Sequence, residues 1–108
     1  MNRGEIWTVA GGAYASRPRP AVVLQDDLFA STGSVTIALF TSSPIDAPIT
    51  RIRVESTDIS GLENDCDIMA DKLTTVRRAD VRDRVGRLTP EQLIDLERAV
   101  MVFLGLAR

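Results

Sequence analysis

Arg19 stands between Pro18 and Pro20, directly ahead of the apolar run Ala21 to Gln25. Each proline pushes the residue before it toward extended backbone, so Arg19 is presented at a loop-to-strand junction. Thr41 closes a second apolar run and is followed by Ser42 and Ser43. An arginine, a hydroxyl and nearby backbone N–H groups make a phosphate clamp. Such a clamp can stabilise charge developing on a phosphorane-like transition state without a metal. The two residues meet only if their strands are antiparallel neighbours, as consecutive strands in small β domains usually are. Residue type alone leaves a second reading open, in which Arg19 is a surface arginine at a turn and Thr41 an ordinary strand end.

The composition narrows the chemistry. There is no histidine among the 108 residues. Ser-His and Cys-His nucleophiles, histidine zinc sites and the usual neutral-pH general base are therefore excluded. Cys66 is the only cysteine, which rules out an internal disulfide and a multi-cysteine metal site. It lies between Asp65 and Asp67, whose charges raise its pKa and make it a poor nucleophile. We expect it to behave as a half-buried small hydrophobe. RNA fits these limits, because the nucleophile comes with the substrate as the 2'-hydroxyl beside the scissile phosphate. The protein then has only to align that group and neutralise charge.

Net charge is -2, which does not advertise a nucleic-acid binder. The charge is uneven, however. Arg77, Arg78, Arg82, Arg84 and Arg87 fall in one short segment, while acids gather at Asp26–Asp27 and between Asp58 and Asp71. Phosphate binding needs only a local patch; a solvated arginine-rich turn is the equal alternative.

The elements that must hold these residues are short. Gly4 to Ala10 reads as a strand, stopped by Gly11 and Gly12. Ala21 to Gln25 reads as a buried strand, and Val35 to Thr41 as a third, ended by Ser42 to Pro44. Between them a polar loop has room for one helical turn near Leu28 and Phe29. Ile49 to Val54 alternates, with Ile52 and Val54 inward and Arg51 and Arg53 toward solvent or a ligand. Asp67 to Ala70 predicts a short strand, with Lys72 to Val76 a continuation or bend. Arg84 to Leu88 predicts another, with Gly86 marking a bulge or tight curvature. Thr89, Pro90 and Gln92 form a capping-box signature, and apolar spacing carries a helix from Pro90 to about Leu104, ended by Gly105. Ile94, Met101 and Val102 widen its apolar arc; a partner subunit or a broad core-facing stripe would account for that. The pattern predicts one mainly β (α+β) domain over residues 1–108, a small barrel with a terminal helix. No apolar run approaches the ~20 residues of a membrane span. With no signal-peptide pattern, a cytoplasmic location is expected.

Arg3-Gly-Glu-Ile-Trp, Arg19-Pro-Ala-Val-Val-Leu, a strand ending Thr41-Ser, Asp67-Ile-Met-Ala-Asp-Lys-Leu-Thr-Thr-Val and Asp83-Arg-Val-Gly-Arg-Leu-Thr follow one another in order. Together with the terminal helix, this ordered set resembles the MazF/PemK toxin endoribonucleases along essentially the whole chain. The resemblance implies an SH3-like barrel with a C-terminal helix, acting as a homodimer. It implies cleavage of single-stranded RNA at short sequences with no cofactor or metal, leaving 2',3'-cyclic phosphate and 5'-hydroxyl ends. It also implies a cognate MazE-like antitoxin that occupies the RNA groove. By position, Arg19 would be the catalytic arginine, as acid or clamp, and Thr41 the threonine on the scissile phosphate. Arg17, Ser42, Lys72, Thr74, Arg77 and Arg78 are the candidate RNA contacts around them.

Two features depart from the family pattern. The Gly11 to Pro18 loop lacks the family's acidic residue and carries Arg17 instead. Lys72 and Thr74 stand where an amide and a basic residue are common, which bears on base preference. Two other readings remain at this stage. One is a gyrase-binding toxin like CcdB on the same scaffold, although the tryptophan-bearing tail of those proteins is missing here. The other is a non-catalytic RNA-binding barrel.

Overall fold

The computed structural model describes residues 1–11, 15–43, 45 and 49–107, with backbone alone for Ala15 and Ser16. Six strands and one helix follow in order: β1 (Glu5–Gly11), β2 (Ala15–Val23), β3 (Ser34–Thr41), β4 (Arg51–Val54), β5 (Cys66–Arg77), β6 (Val81–Arg87) and α1 (Pro90–Phe103). The strands form one antiparallel sheet in the order β4-β5-β3-β2-β1-β6. Short 3-10 turns at Asp27–Phe29 and Arg78–Asp80 supply two of the connections. The first of these is the helical turn expected near Leu28, and the Asp26 carboxylate caps it by accepting the Leu28 N–H at 2.9 Å.

Side-chain alternation gives the sheet two apolar faces. One carries Ile6, Val22, Ala38, Phe40, Ile68 and Ala70, and α1 lays Leu96 and Ala99 on it. The other carries Val9, Ala21, Val23, Val35, Ile37 and Val76. Leu96 is fully buried, and its truncation to Ala would cost about 2–5 kcal/mol. The helix starts where the sequence places it. Thr89 Oγ1 accepts the Gln92 N–H at 3.2 Å, and the Thr89 N–H donates to Gln92 Oε1 at 2.9 Å. It ends in the Schellman pattern, with Gly105 at φ 76° and the Leu106 N–H donating to the Met101 carbonyl at 2.8 Å.

The expected small barrel with a terminal helix is the architecture that forms. Its two edge strands, β4 and β6, do not pair with each other; residues 57–62 fill the gap instead. Ser60 is buried there, its hydroxyl donating to the Glu55 carbonyl at 2.7 Å. The Arg87 N–H donates to the Ile59 carbonyl at 3.0 Å. A methyl group on Gly86 would overlap the carbonyl oxygens of Ser60 and Ile59, and one on Gly61 would overlap that of Val85. Gly86 therefore marks a close backbone approach. A register shift between β1 and β6 also falls beside it, between the pairs Ile6–Gly86 and Trp7–Arg84.

Several expected boundaries change. The two pieces expected at Asp67–Ala70 and Lys72–Val76 are one 12-residue strand. It continues through Asp71 because Arg51 pairs with that carboxylate and Lys72 points to solvent. Arg51 was expected to face solvent or a ligand, yet its side chain is nearly buried against Asp71. β4 begins at Arg51 and not Ile49, and β6 begins at Val81 and not Arg84. β2 begins six residues before the expected Ala21, at Ala15. Its prolines are accommodated because β2 pairs only with β1 over that stretch. Of the expected Gly11–Pro18 loop, Gly11 belongs to β1 and Ala15 to Pro18 belong to β2; positions 12–14, like the strand terminator Pro44, lie outside the described residues.

Candidate active site and nucleic-acid interface

β2 and β3 are antiparallel neighbours, paired Val23–Ile37, Val22–Ala38 and Ala21–Leu39. Beyond Ala21 the ladder stops, where Pro20 and Pro18 have no N–H to extend it. Arg19 and Thr41 each lie two residues past the last of these pairs, Ala21–Leu39, where the two strands are no longer paired. On the other side, Arg19 pairs with Val9, and Thr41 pairs with Asp67, which pairs with Arg53. Two rows result, Arg53–Asp67–Thr41 and Arg19–Val9. Directly opposed residues share a face; Val9 assigns Arg19 to the face away from α1, and alternation with Ile52, Ile68 and Phe40 assigns the site row of Arg53, Asp67 and Thr41 to the same face.

Alternation brings more of the expected residues to this face. Arg17 lies two positions from Arg19 along β2, and both are exposed. Thr74 pairs with Ile37, a member of that face's apolar cluster, and Lys72 is two positions from it. Lys72 is exposed, and the Thr74 hydroxyl donates to the Lys72 carbonyl at 3.4 Å. Ser42 is exposed just past Thr41, whose Oγ1 accepts the Ser43 N–H at 3.1 Å. That acceptor role leaves the Thr41 proton to be donated elsewhere.

Arg77 and Arg78 are not brought to the same place. Arg77 pairs with Ser34, at the other end of β3 from Thr41, roughly 23 Å away at ~3.3 Å per residue. Its guanidinium grips Asp80 through Nε and Nη2 at 3.0 and 3.1 Å. Asp80 is buried beside Gly11, so this pair braces the turn end of the β1–β2 hairpin. Arg78 Nε donates to the Thr32 carbonyl at 2.7 Å.

Arg53 and Asp67 enter the site row without having been singled out by the sequence for that role. Arg53 Nε donates to Asp67 Oδ1 at 2.8 Å, and Asp67 is buried. A bare carboxylate beside Thr41 would repel a phosphate; the Arg53 charge offsets it. No local signal marks them, because the two meet only when β4 folds beside β5. Cys66, one residue away, faces the other side and packs against the α1-facing core. Burial pushes its thiol up, and the Asp65 and Asp67 charges add to that against the pull of Arg53. It is the protonated, half-buried thiol that the sequence suggests.

Among the described residues no cluster of three or more His, Cys, Asp or Glu side chains could hold a metal ion. Among the same residues no helix is long and apolar enough to cross a membrane. The arrangement offers cations and hydroxyl donors on an exposed face, suited to binding a phosphodiester.

Comparison with known proteins agrees with that chemistry. The family described as PemK-like, MazF-like toxin of type II toxin-antitoxin system matches residues 2–104. A probable endoribonuclease MazF from Mycolicibacterium smegmatis is 48% identical over 108 residues, 99% of each chain. Among solved structures, the Mycobacterium tuberculosis toxin MazF-mt6 superposes with a TM-score of 0.82 at 20% identity, covering 96% of this chain and 99% of that one. An endoribonuclease solved with its cognate antitoxin, from a mycobacterial species, gives 0.81 at 19% identity, covering 100% and 98%. Over nearly its whole length, then, this chain belongs to the PemK/MazF-like toxins of type II toxin-antitoxin systems.

Proposed function

We propose that this protein is the endoribonuclease toxin of a toxin–antitoxin pair, cutting single-stranded RNA without a metal. The observation that carries the mechanism is that Arg19 and Thr41 lie on one face of the sheet, each two residues past the last β2–β3 pair. The 2'-hydroxyl of the substrate attacks the adjacent phosphorus, and the bond to the 5'-oxygen breaks. The 2'-hydroxyl proton passes to water, and the departing 5'-oxygen takes one up. A 2',3'-cyclic phosphate and a 5'-hydroxyl remain. Arg19 neutralises charge on the non-bridging oxygens. A guanidinium stays protonated at neutral pH, so it works as a clamp and not as the base. The Thr41 hydroxyl donates to a second phosphate oxygen. Arg17, Ser42, Lys72 and Thr74 extend the RNA track on the same side of the sheet. Arg77 and Arg78 serve only nucleotides several steps away.

The solved relative carrying its cognate antitoxin supports a matching arrangement here, in the cytoplasm. An antitoxin segment would cover the RNA track of a toxin homodimer. The test is cleavage of a long RNA in EDTA. Arg19→Ala lowers the rate about 100- to 1,000-fold, the scale of losing one transition-state donor, with an unchanged circular dichroism spectrum. Thr41→Val lowers it less. Cleavage by Arg19→Ala at the wild-type rate, or ends other than cyclic phosphates, would overturn the mechanism.

A further inference from the structure

A cavity of about 340 Å³ lies on the reverse side of the Arg19 strand, at the mouth of the barrel. Its walls are Pro18 and Pro20, which flank Arg19, with Leu62, Glu63, Asn64 and Cys66. The volume is at the low end for small-molecule sites, which run ~300–1,000 Å³.

The cavity adjoins the site row from both sides. Pro18 and Pro20 sit either side of Arg19, and Cys66 immediately precedes Asp67, the partner of Thr41. β2 and β3 do not pair beyond Ala21–Leu39, so the ladder does not close the sheet between Arg19 and Thr41. The far wall is fixed. Residues 57–62 are locked against β6 at Gly86 and by the Arg87–Ile59 hydrogen bond. The Asp65 carboxylate accepts the Ser56 N–H at 2.7 Å, anchoring the turn that carries Glu63 and Asn64.

We propose that this cavity receives one unstacked base of the RNA next to the scissile phosphate, and that Asn64 and Glu63 select it. The proposal rests on the endoribonuclease reading above. The proline rings and Leu62 supply flat apolar walls for the base face. Glu63 and Asn64 are exposed at the rim. An ionised carboxylate only accepts hydrogen bonds, whereas an amide both donates and accepts. Such a pair matches the edge of a base with an exocyclic amino group, as in adenine, cytosine or guanine. Uracil, with two carbonyls and one N–H, satisfies it less well. The selecting residues thus come from the β4–β5 connection, on the side of β2 away from Lys72 and Thr74.

The experiment is cleavage of a random-sequence RNA library by the full-length protein, with the 5'-hydroxyl ends sequenced. Wild type, Asn64→Ala, Glu63→Gln and Arg19→Ala are compared. Wild type shows a preference for an amino-bearing base at one position beside the cut. In Asn64→Ala and Glu63→Gln that preference falls about tenfold or more, the scale of a bidentate base contact, while preferences at other positions persist. A preference within threefold of wild type in both variants overturns the proposal. So does slowing that is uniform across all sequences, which would mark a structural role. Failure of the parent reading looks different: wild type leaves the library uncut, or Arg19→Ala cuts it equally well, and the base pocket falls with it.

Discussion

Glu5 gathers three donors at the start of β1. Its Oε1 accepts the Asn2 N–H at 2.7 Å and the Trp7 indole N–H at 3.1 Å, and its Oε2 accepts from Arg84 Nε at 3.1 Å. Burial alone would raise its carboxyl pKa. The Asn2 and Trp7 hydrogen bonds and the Arg84 charge outweigh that and hold it below the usual 4.5. A folded-state pKa lower than the unfolded one means that ionised Glu5 stabilises the fold above about pH 4.5. That stability is lost as pH falls through the lower folded value. Glu5→Gln should therefore be less stable than wild type at pH 7, with the gap closing toward pH 3. Urea midpoints at the two pH values measure this; an equal gap at both would show that the charge is not what matters. The Arg84 contact was invisible in the sequence, because Arg84 is remote in the chain and reaches Glu5 only after β6 folds beside β1. The same holds for Arg53 with Asp67 and Arg51 with Asp71. Arg19 was legible because its signal, an arginine between two prolines, is local, although it lies in the middle of β2 and not at the strand entrance expected.

At the scale of elements, what the sequence conveyed followed the range of the forces involved. The helix was legible to within a residue because its cap, its apolar spacing and its glycine stop all lie within the helix and its ends. β5 was not, because Asp71–Lys72 inside an apolar run looks like a break until β4 supplies Arg51 on one side. β2 was read too short because prolines are poor strand residues, and only the missing β3 neighbour makes them harmless. The glycine in β6 was legible as a point of curvature but not as the point where a turn from elsewhere in the chain seals the barrel. That closure gives a sharp contrast. Gly86→Ala should destabilise the protein by about 3 kcal/mol, the upper end for overpacking against backbone that cannot yield. Gly33→Ala, with nothing within 4 Å of the added methyl, should stay within about 0.5 kcal/mol of wild type. Thermal midpoints of the two variants decide the matter; similar shifts would show that residues 57–62 move aside and do not seal the edge.

The whole molecule presents two surfaces of different character. Exposed Arg17, Arg19 and Lys72 give a cationic border to the sheet face away from α1, the side an RNA would track. The end of α1 is apolar: Phe103, Leu104 and Leu106 are 49%, 52% and 73% exposed, and Met101 and Val102 beside them are also open. The Schellman turn at Gly105 ties Leu106 back toward Met101, so these side chains form one fixed patch and not a frayed tail. A contiguous apolar patch on a small domain marks an interaction surface. The widened apolar arc of the helix is thus not spent on the barrel, whose core takes only Leu96 and Ala99 as fully buried members. In the homodimer proposed above, this patch is the surface that a second copy is expected to cover. Phe103→Glu combined with Leu106→Glu should then shift the protein from twice the 11.8 kDa chain mass to a monomer in sedimentation equilibrium. Because both positions are exposed, the circular dichroism spectrum should not change. RNA cleavage by the resulting monomer then reports on the site itself. Retained activity places the whole clamp within one chain, and lost activity means that the partner completes it. A double variant that still sediments as a dimer would move the subunit contact to another face of the barrel.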